Sequence, residues 1–223
     1  MGQSQLDYHM SITHSVEYDE VWAINSMCAV VKTDRVFMMD PVSRFLDTND
    51  AGPQTEVMRK ILPTLECPVY SCELDPRVPA IKLYPLKKIV KDLGCAYFNN
   101  TIAYAIAFAL WKKVDKLSIF GADFSYTTNV HFGELGRGCC EFWLSKCMDA
   151  GIDISVGARS PMLDTSVPVK EKLYGYHRLD NPPVVYLEEG ELKVTTFSEI
   201  EAEEIPVGVS GRKDISPPEP EKY

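Results

Sequence analysis

Polar residues stand at the ends of three predicted strands in this 223-residue chain. Asn25, Asp40 and Asp123 each end or closely follow a short apolar run. In a doubly wound parallel sheet, the ligand crevice lies outside the carboxyl ends of the strands. Each of these residues is also a common turn former that satisfies local backbone groups. Their convergence at one sheet edge favours a shared binding role.

The turn at Gly121 and Asp123 follows the strongest of the later apolar runs. A glycine lets the backbone turn sharply as it leaves the sheet. Asp123 is then expected to project an exposed carboxylate into the crevice, where it can bind ribose hydroxyls, a metal ion or an acceptor group. An exposed strand-end carboxylate contributes to ligand binding but little to folding stability.

Titratable side chains are concentrated just after this turn. His131 is the best acid–base candidate, because histidine titrates near neutrality and this one stands in a predicted loop beside acidic residues. His177, in a tyrosine-rich loop, is the second candidate. Glu134 and Arg137 share one helical face, either as pocket residues or as a solvated ion pair. Tyr126 can stabilise a leaving phosphate.

Gly2 and Ser4 form a glycine-containing turn ahead of a predicted surface helix. Ser4 stands at the helix cap, where backbone N–H groups can bind a phosphate. Such a turn normally follows a first β-strand, and no strand precedes it in this sequence. We expect that the sheet lacks this strand or that the natural reading frame begins upstream of Met1.

The charge of the chain argues against general binding to nucleic acid. Lys and Arg number 23 against 32 Asp and Glu, a net charge of −9. Residues 188–223 hold ten acidic and four basic side chains, which leaves a net charge of only −3 for residues 1–187 and room for a basic phosphate pocket. The longest apolar stretch, 102–111, is far shorter than the roughly 20 residues that span a bilayer. We expect a cytoplasmic protein without a membrane span.

The seven cysteines are predicted to be reduced core thiols. Their number is odd, no CxxC pair occurs, and no histidine stands at zinc-finger spacing, so we expect no metal centre built from cysteines and histidines. The adjacent pair Cys139 and Cys140 could indicate redox chemistry, but neighbouring helical residues point about 100° apart.

Short apolar runs alternate with segments of helical period, which is typical of an α/β chain. Near-continuous apolar strands favour a mostly parallel sheet with helices on both faces. The predicted strands cover residues 21–25, 35–40, 68–72, 117–121 and 152–156, with a weaker one over 80–83.

Three helices are predicted between these strands. The first starts at Gly52-Pro53 and is expected to bury Val57, Met58, Ile61 and Leu62. The second covers 101–111 after an Asn99 or Asn100 cap. The third covers 133–150, with a core stripe of Leu135, Cys139, Phe142, Trp143 and Cys147.

The character of the chain changes after about residue 180. Two apolar segments, 184–187 and 192–195, flank an acidic turn and predict a β-hairpin. Beyond residue 197 the acidic, proline-rich sequence predicts a flexible tail. The predicted organisation is a Rossmann-like domain over 1–180, a hairpin over 181–197 and a tail over 198–223.

Three sequence blocks together resemble the sialyltransferase-like and MptE-like nucleotide-binding group. The first combines the turn at Gly2 and Ser4 with the strands that end at Asn25 and Asp40, and the second is Tyr97-Phe-Asn-Asn-Thr-Ile-Ala-Tyr-Ala-Ile-Ala107. The third, Leu117-Ser-Ile-Phe-Gly-Ala-Asp-Phe-Ser125, is similar to an apolar strand followed by the G-x-D-F motif of that group. The segment 131–143 is similar to phage members, which would place the protein in the host cytoplasm.

The resemblance implies a variant Rossmann sheet that binds a nucleotide or nucleotide-sugar. It implies that Gly2 and Ser4 lie near the phosphates. It places Asn25, Asn100 and Thr101 near the nucleoside, and Asp123 near the donor.

Three functions stay open on the sequence. The first is a nucleotide-dependent transferase, foremost a glycosyltransferase, in which a histidine deprotonates the acceptor hydroxyl. The second is a non-catalytic nucleotide-binding protein, or a phage protein that docks a host protein or a second copy of itself. The third is a pyrophosphokinase that requires Mg²⁺ held by Asp40 or Asp123.

Overall fold

The structure is a computed structural model that describes residues 4–124, 130–165, 167–188 and 191–203. Its contacts divide the chain into two compact units, with the boundary after residue 166. The first unit contains the parallel strands, and the second contains an antiparallel hairpin. The predicted boundaries between domain, hairpin and tail, at residues 180 and 197, remain predictions.

The strands of the first unit pair in parallel, as the sequence predicts. Four of them form one sheet in the order β1-β2-β3-β4, and the other two, β5 and β6, form a second parallel ladder. Each lies within a predicted segment or overlaps it. They are β1 (Trp22–Ile24), β2 (Arg35–Phe37), β3 (Val69–Ser71), β4 (Ile81–Leu83), β5 (Lys116–Ile119) and β6 (Asp153–Val156).

Helices cover both faces of the four-stranded sheet. Successive side chains of β2 enter different cores, because neighbouring strand residues point to opposite faces: Val36 packs in one and Phe37 in the other. The Val36 core contains side chains of α2 (Val42–Leu46) and α3 (Gln54–Ile61). The Phe37 core contains side chains of α4 (Leu86–Leu93) and α5 (Thr101–Lys112). Burial on both faces explains why these strands read as continuous apolar runs.

The apolar helix α5 begins where the sequence predicts. The Asn100 side chain caps it by accepting a hydrogen bond from the backbone N–H of Ala103 at 3.0 Å. Phe108 on this helix lies within 5.3 Å of the Phe37 ring, measured between ring centres. An all-round apolar helix is stable here because the sheet and α6 (Val130–Asp149) bury most of its surface.

The buried face of α6 differs from the predicted one. Leu135 is 49% exposed and Phe142 is 36% exposed, so the expectation that both lie in the core was wrong. Small residues face inward instead, which lets α6 approach its neighbours closely. The buried side of the helix consists of Gly133, Gly136, Cys139, Cys140, Trp143, Leu144 and Cys147.

The helix α3 shows a similar shift in its buried face. Met58 and Leu62 are buried as predicted, but Val57 is 38% exposed and Thr55 takes an inward position. The helical period predicts an apolar face but not which part of it is buried, because that face is wider than the area that packs in the core.

One helix precedes the parallel strands along the chain, and another follows them. The predicted surface helix near the amino end is present as α1 (Gln5–Thr13), and none of its side chains is buried. The second unit begins with the short helix α7 (Val169–Lys172) and a 3-10 turn at Tyr176–Arg178.

The hairpin of the second unit is confirmed as an antiparallel pair, β7 (Pro183–Glu188) and β8 (Glu191–Thr196). A helix, α8 (Phe197–Glu203), follows it directly, where the sequence predicts the start of a flexible tail. The Glu199 carboxylate accepts a hydrogen bond from the Thr196 backbone N–H at 2.9 Å, one half of a capping box. The T-x-x-E pattern at Thr196 to Glu199 indicates a helix start, whereas the acidic composition of the following residues predicts a flexible tail. Residues 204–223 of the predicted tail lie outside the described residues.

All seven cysteines are free thiols, and four of them, Cys28, Cys139, Cys140 and Cys147, are buried. Burial raises the pKa of the Cys140 thiol to about 12 and that of Cys147 to about 11. Cys72, by contrast, is exposed at the end of β3. The prediction of core thiols therefore holds for the buried four.

We expect the native protein at pH 8 to react with a thiol reagent at Cys72 much faster than at Cys140 or Cys147. Raised pKa values keep the buried thiols protonated, and the thiolate is the reactive form. Mass spectrometry of the alkylated peptides over time measures the order, and Cys72→Ser removes the fast phase. Equal labelling rates for Cys72 and Cys140 in folded protein would contradict this.

Candidate functional site

A cleft opens beside the start of α6, close to the carboxyl end of β5. It has a volume of about 240 Å³. Its lining combines three apolar or aromatic side chains, one glycine and three ionisable side chains, the composition expected of a small-molecule site. The lining residues are Asp123, Phe124, Val130, Gly133, Glu134, Arg137 and Pro161.

Asp123 forms one wall of the cleft and is held by Ser4. The backbone N–H of Ser4 donates to Asp123 Oδ2 at 2.8 Å, and the Ser4 hydroxyl donates to Oδ1. The same hydroxyl accepts the N–H of Gly121 at 2.7 Å, where the backbone has φ of 74°. Asp123 is only 5% exposed, so the expectation of an exposed strand-end carboxylate was wrong. The carboxylate turns inward because the backbone N–H and the hydroxyl of Ser4, the residue before α1, donate to it.

A second set of contacts fixes α1 to the end of β6. Asp7 accepts hydrogen bonds from the Arg159 backbone N–H, at 3.0 Å, and from its guanidinium. Gly157 lies directly beneath, because a Cβ at this position would stand 3.1 Å from the Ser4 Cβ. The ends of β5 and β6 therefore share one amino-terminal helix as their support.

Arg137 lies between the cleft and the loop that follows β6. Its Nε donates to Glu141 at 2.8 Å and its Nη2 donates to Asp164 at 2.9 Å. These contacts, the hydrogen bond to Glu141 foremost, raise the pKa of Arg137 above its usual range. In the described part of the chain, Nη1 has no acceptor, so this end of the guanidinium is available to an anion.

Strained backbone borders the cleft on two sides. Phe124 has φ of 50°, and Leu163 and Asp164 have φ of 54° and 48°. Non-glycine residues in this left-handed region cost of order 1–3 kcal/mol each and concentrate at functional sites. The loop is held in this form by Glu141, which accepts the Leu163 N–H at 2.8 Å. The strain supports a functional interpretation of the cleft.

Gly136 allows Phe124 to pack against α6. A Cβ at Gly136 would stand 2.9 Å from the Phe124 ring and 3.6 Å from the Asn100 side chain. Asn100 also donates to the Gly136 carbonyl at 3.1 Å. Asn100 is therefore next to the cleft wall, with both ends of its amide engaged by protein groups.

His131 and Glu134 belong to the first turns of α6. The expectation that His131 lies in a loop was wrong, because α6 begins three residues earlier than its predicted start near residue 133. Both side chains are exposed, and Glu134 lines the cleft. His131 is not among the lining residues, but it stands about one helical turn before Glu134, on the same side of α6.

Asn25 directly follows β1 and Asp40 lies three residues after β2, in the four-stranded sheet, and neither is among the residues that line the cleft. Asn25 has φ of 48°, and within the described residues its buried Oδ1 accepts no hydrogen bond. Asp40 forms an ion pair with Arg44 at 2.5 Å. The structure thus joins Ser4, Gly121 and Asp123 directly and places Asn25 and Asp40 at other strand ends.

The remaining predicted site residues are not part of the described cleft. Gly2 and Tyr126 lie outside the described residues. His177 lies in the 3-10 turn of the second unit, and Thr101 is the first residue of α5.

No family model, curated protein or solved structure matches this chain. In the ranges that the structure describes, no helix is both long and apolar enough to cross a membrane. Over the same ranges, no group of three or more His, Cys, Asp and Glu side chains is arranged to hold a metal ion.

The sequence reasoning missed Pro161 and the loop residues that support Arg137. A signal for them was present, because the strand-end rule applies equally to the predicted strand 152–156 and points to the residues after it. Phe124 was included only as a motif residue, and its contact with Gly136 had no local signal.

We expect Ser4→Ala to lower the free energy of unfolding by about 1–3 kcal/mol, because it leaves buried hydrogen-bonding groups of Asp123 and Gly121 unsatisfied. Asp123→Ala should have a similar effect by removing the acceptor of the Ser4 N–H. Urea unfolding measures both.

Ser26→Ala is the matched control, because Ser26 makes one exposed hydrogen bond to Gln54 at 3.2 Å. It should change stability by no more than about 0.5 kcal/mol. If Ser4→Ala and Ser26→Ala have the same effect, the Ser4–Asp123 contact does not support the fold.

Proposed function

We propose that this chain is a nucleotide-dependent transferase, foremost a glycosyltransferase, whose nucleotide-sugar donor binds with one end in the cleft. The observation that carries the proposal is the position of the cleft beside the carboxyl end of β5 and the amino end of the long helix α6. Open α/β sheets bind ligands at this edge, and helix amino ends favour phosphate groups. A variant Rossmann fold is part of the same proposal.

The dimensions of the cleft suit part of a nucleotide-sugar. A volume of about 240 Å³ lies just below the range of roughly 300–1,000 Å³ for pockets that enclose a drug-sized ligand. The cleft would therefore enclose the sugar or the base, while the rest of the donor lies along its entrance. The apolar walls at Phe124, Val130 and Pro161 suit the flat face of either ring.

Arg137 is the residue best placed for the phosphate. Glu141 and Asp164 accept hydrogen bonds from Nε and Nη2, and among the described residues Nη1 has no acceptor, so it can donate to a phosphate oxygen. Its ion pairs fix the guanidinium in advance, which reduces the entropy lost on binding.

Glu134 and His131 are the groups for proton transfer. In glycosyl transfer the acceptor hydroxyl loses its proton to one of them as its oxygen bonds to the sugar carbon, and the bond from that carbon to the phosphate breaks. The negative charge that develops on the leaving phosphate is stabilised by Arg137. Asp123, whose two oxygens bind Ser4, has a supporting role in this scheme.

A second candidate function is nucleotide binding without chemistry. It is favoured by the engagement of Asp123 with Ser4, because the family resemblance assigns that carboxylate to the donor. The Mg²⁺-dependent pyrophosphokinase has less support, since both carboxylates proposed for the metal bind protein groups: Asp40 pairs with Arg44, and Asp123 with Ser4.

Isothermal titration with cytidine, uridine, guanosine and adenosine diphosphates and their sugar conjugates tests the proposal. We expect one nucleotide class to bind, and Arg137→Met to weaken it about tenfold or more, the loss expected for a hydrogen bond between charged groups. Arg59→Met is the control, since Arg59 is exposed and bonds only to Thr48 and Asn49 among the described residues. Absence of binding to the whole panel would refute both candidate functions.

Glu134→Gln separates the two functions. In a transferase it should retain nucleotide affinity while lowering the rate of sugar release or transfer, measured by product chromatography. A protein that binds the nucleotide but yields no product with any acceptor class is the non-catalytic binder.

A further inference from the structure

A lysine-rich surface, the lysine face, is formed by the outer side of α4 and the last residues of α5. The segments 86–93 and 111–113 contain five lysines and one acidic residue, Asp92, a net charge of +4. The rest of this acidic chain then has a net charge of −13. All five lysines are exposed: Lys87, Lys88, Lys91, Lys112 and Lys113.

Trp111 joins the two helices of the lysine face. Its ring centre lies 5.6 Å from Lys88 Nζ and 5.0 Å from Lys112 Nζ, both within cation–π distance. Its Nε1–H donates to Asp92 at 2.8 Å, and Lys88 donates to the same oxygen at 3.1 Å. A lysine from each helix is therefore held over one ring instead of extending independently into solvent.

Four of the five lysines of the face form no ion pair with any described residue, although Lys112 is near enough to Glu20 to help lower the pKa of that carboxyl. Within the described residues, Lys88 forms the one ion pair of the face, with Asp92. Lys87 and Lys91 stand one helical turn apart on the exposed side of α4, so their ammonium groups point to the same region of solvent. A compact cationic surface on an acidic protein raises the local concentration of anionic partners.

We propose that the lysine face binds an acidic polypeptide segment of a partner protein, a short run of Asp and Glu whose carboxylates pair with these ammonium groups. The α4 helix is about 12 Å long. An extended segment of about four residues matches this length. The surface involves no residue of the cleft, so this proposal does not depend on the proposed function.

A nucleic acid is the competing polyanion, and two observations disfavour it. A duplex carries one charge per about 1.7 Å and would extend beyond the short face, whereas the rest of the chain has a net charge of −13. Trp111 donates its N–H to Asp92 and has ammonium groups near its ring, so it does not offer the open stacking surface that single strands use. A short acidic peptide fits within the face.

Fluorescence anisotropy at low salt, with a labelled peptide of about eight alternating Asp and Glu residues, tests the proposal on the full chain. Lys87→Glu with Lys91→Glu should weaken binding about tenfold or more, because both carry charge at the contact. Lys32→Glu with Lys60→Glu changes the net charge equally at exposed positions outside the face, and should weaken binding less than about threefold. Circular dichroism checks that both variants fold.

Tryptophan emission locates the contact. Peptide binding should change the emission of the wild-type chain, and Trp111→Phe should abolish that change, since the other two tryptophans lie outside the face. Failure of the wild type to bind the peptide would overturn the proposal. Equal losses in the two charge variants, or tighter binding of a labelled oligonucleotide than of the peptide, would do so too.

Discussion

The hydrogen bonds between Asp123 and Ser4 are the contact on which the arrangement of the cleft depends. They join residues 119 positions apart and bury a carboxylate at the end of β5. A buried carboxylate is tolerated only where donors surround it. The backbone N–H and the hydroxyl of Ser4 are such donors, and the same hydroxyl accepts the Gly121 N–H, so Ser4 fixes the turn that contains Gly121 and Asp123. That turn contributes Asp123 and Phe124 to the wall of the cleft.

The remaining support comes from ion pairs that hold strained backbone. Arg137 and Glu141, one turn apart on α6, bind the loop in which Leu163 and Asp164 adopt left-handed conformations. The same arginine lines the cleft. One side chain therefore both holds the loop and presents a positive charge to a ligand. Gly136 performs a related role for packing, because only a residue without a Cβ admits the Phe124 ring. Fold and site are thus coupled through α6.

The distribution of charge gives the molecule two surfaces of different character. Near the cleft, Arg137 donates to two carboxylates, and within the described ranges its Nη1 has no acceptor and can bind an anion. On α4 and α5, five lysines meet a single aspartate. The net charge of −9 indicates neither feature, because a sum over the chain does not show which charged side chains lie next to each other.

The sequence by itself determined the strands, the alternation with helices, the hairpin and an asparagine cap at position 99 or 100, because these follow from local period and local hydrogen bonding. The structure selected Asn100 as the cap. It also identified Glu134 and Arg137 together, since residues three apart share a helical face. Tertiary structure alone decided that Asp123 is buried, that Leu135 and Phe142 face outward, and that Asn25 and Asp40, which follow β1 and β2, do not line the cleft. These outcomes depend on which distant groups fill the space beside a residue, and no local pattern records that.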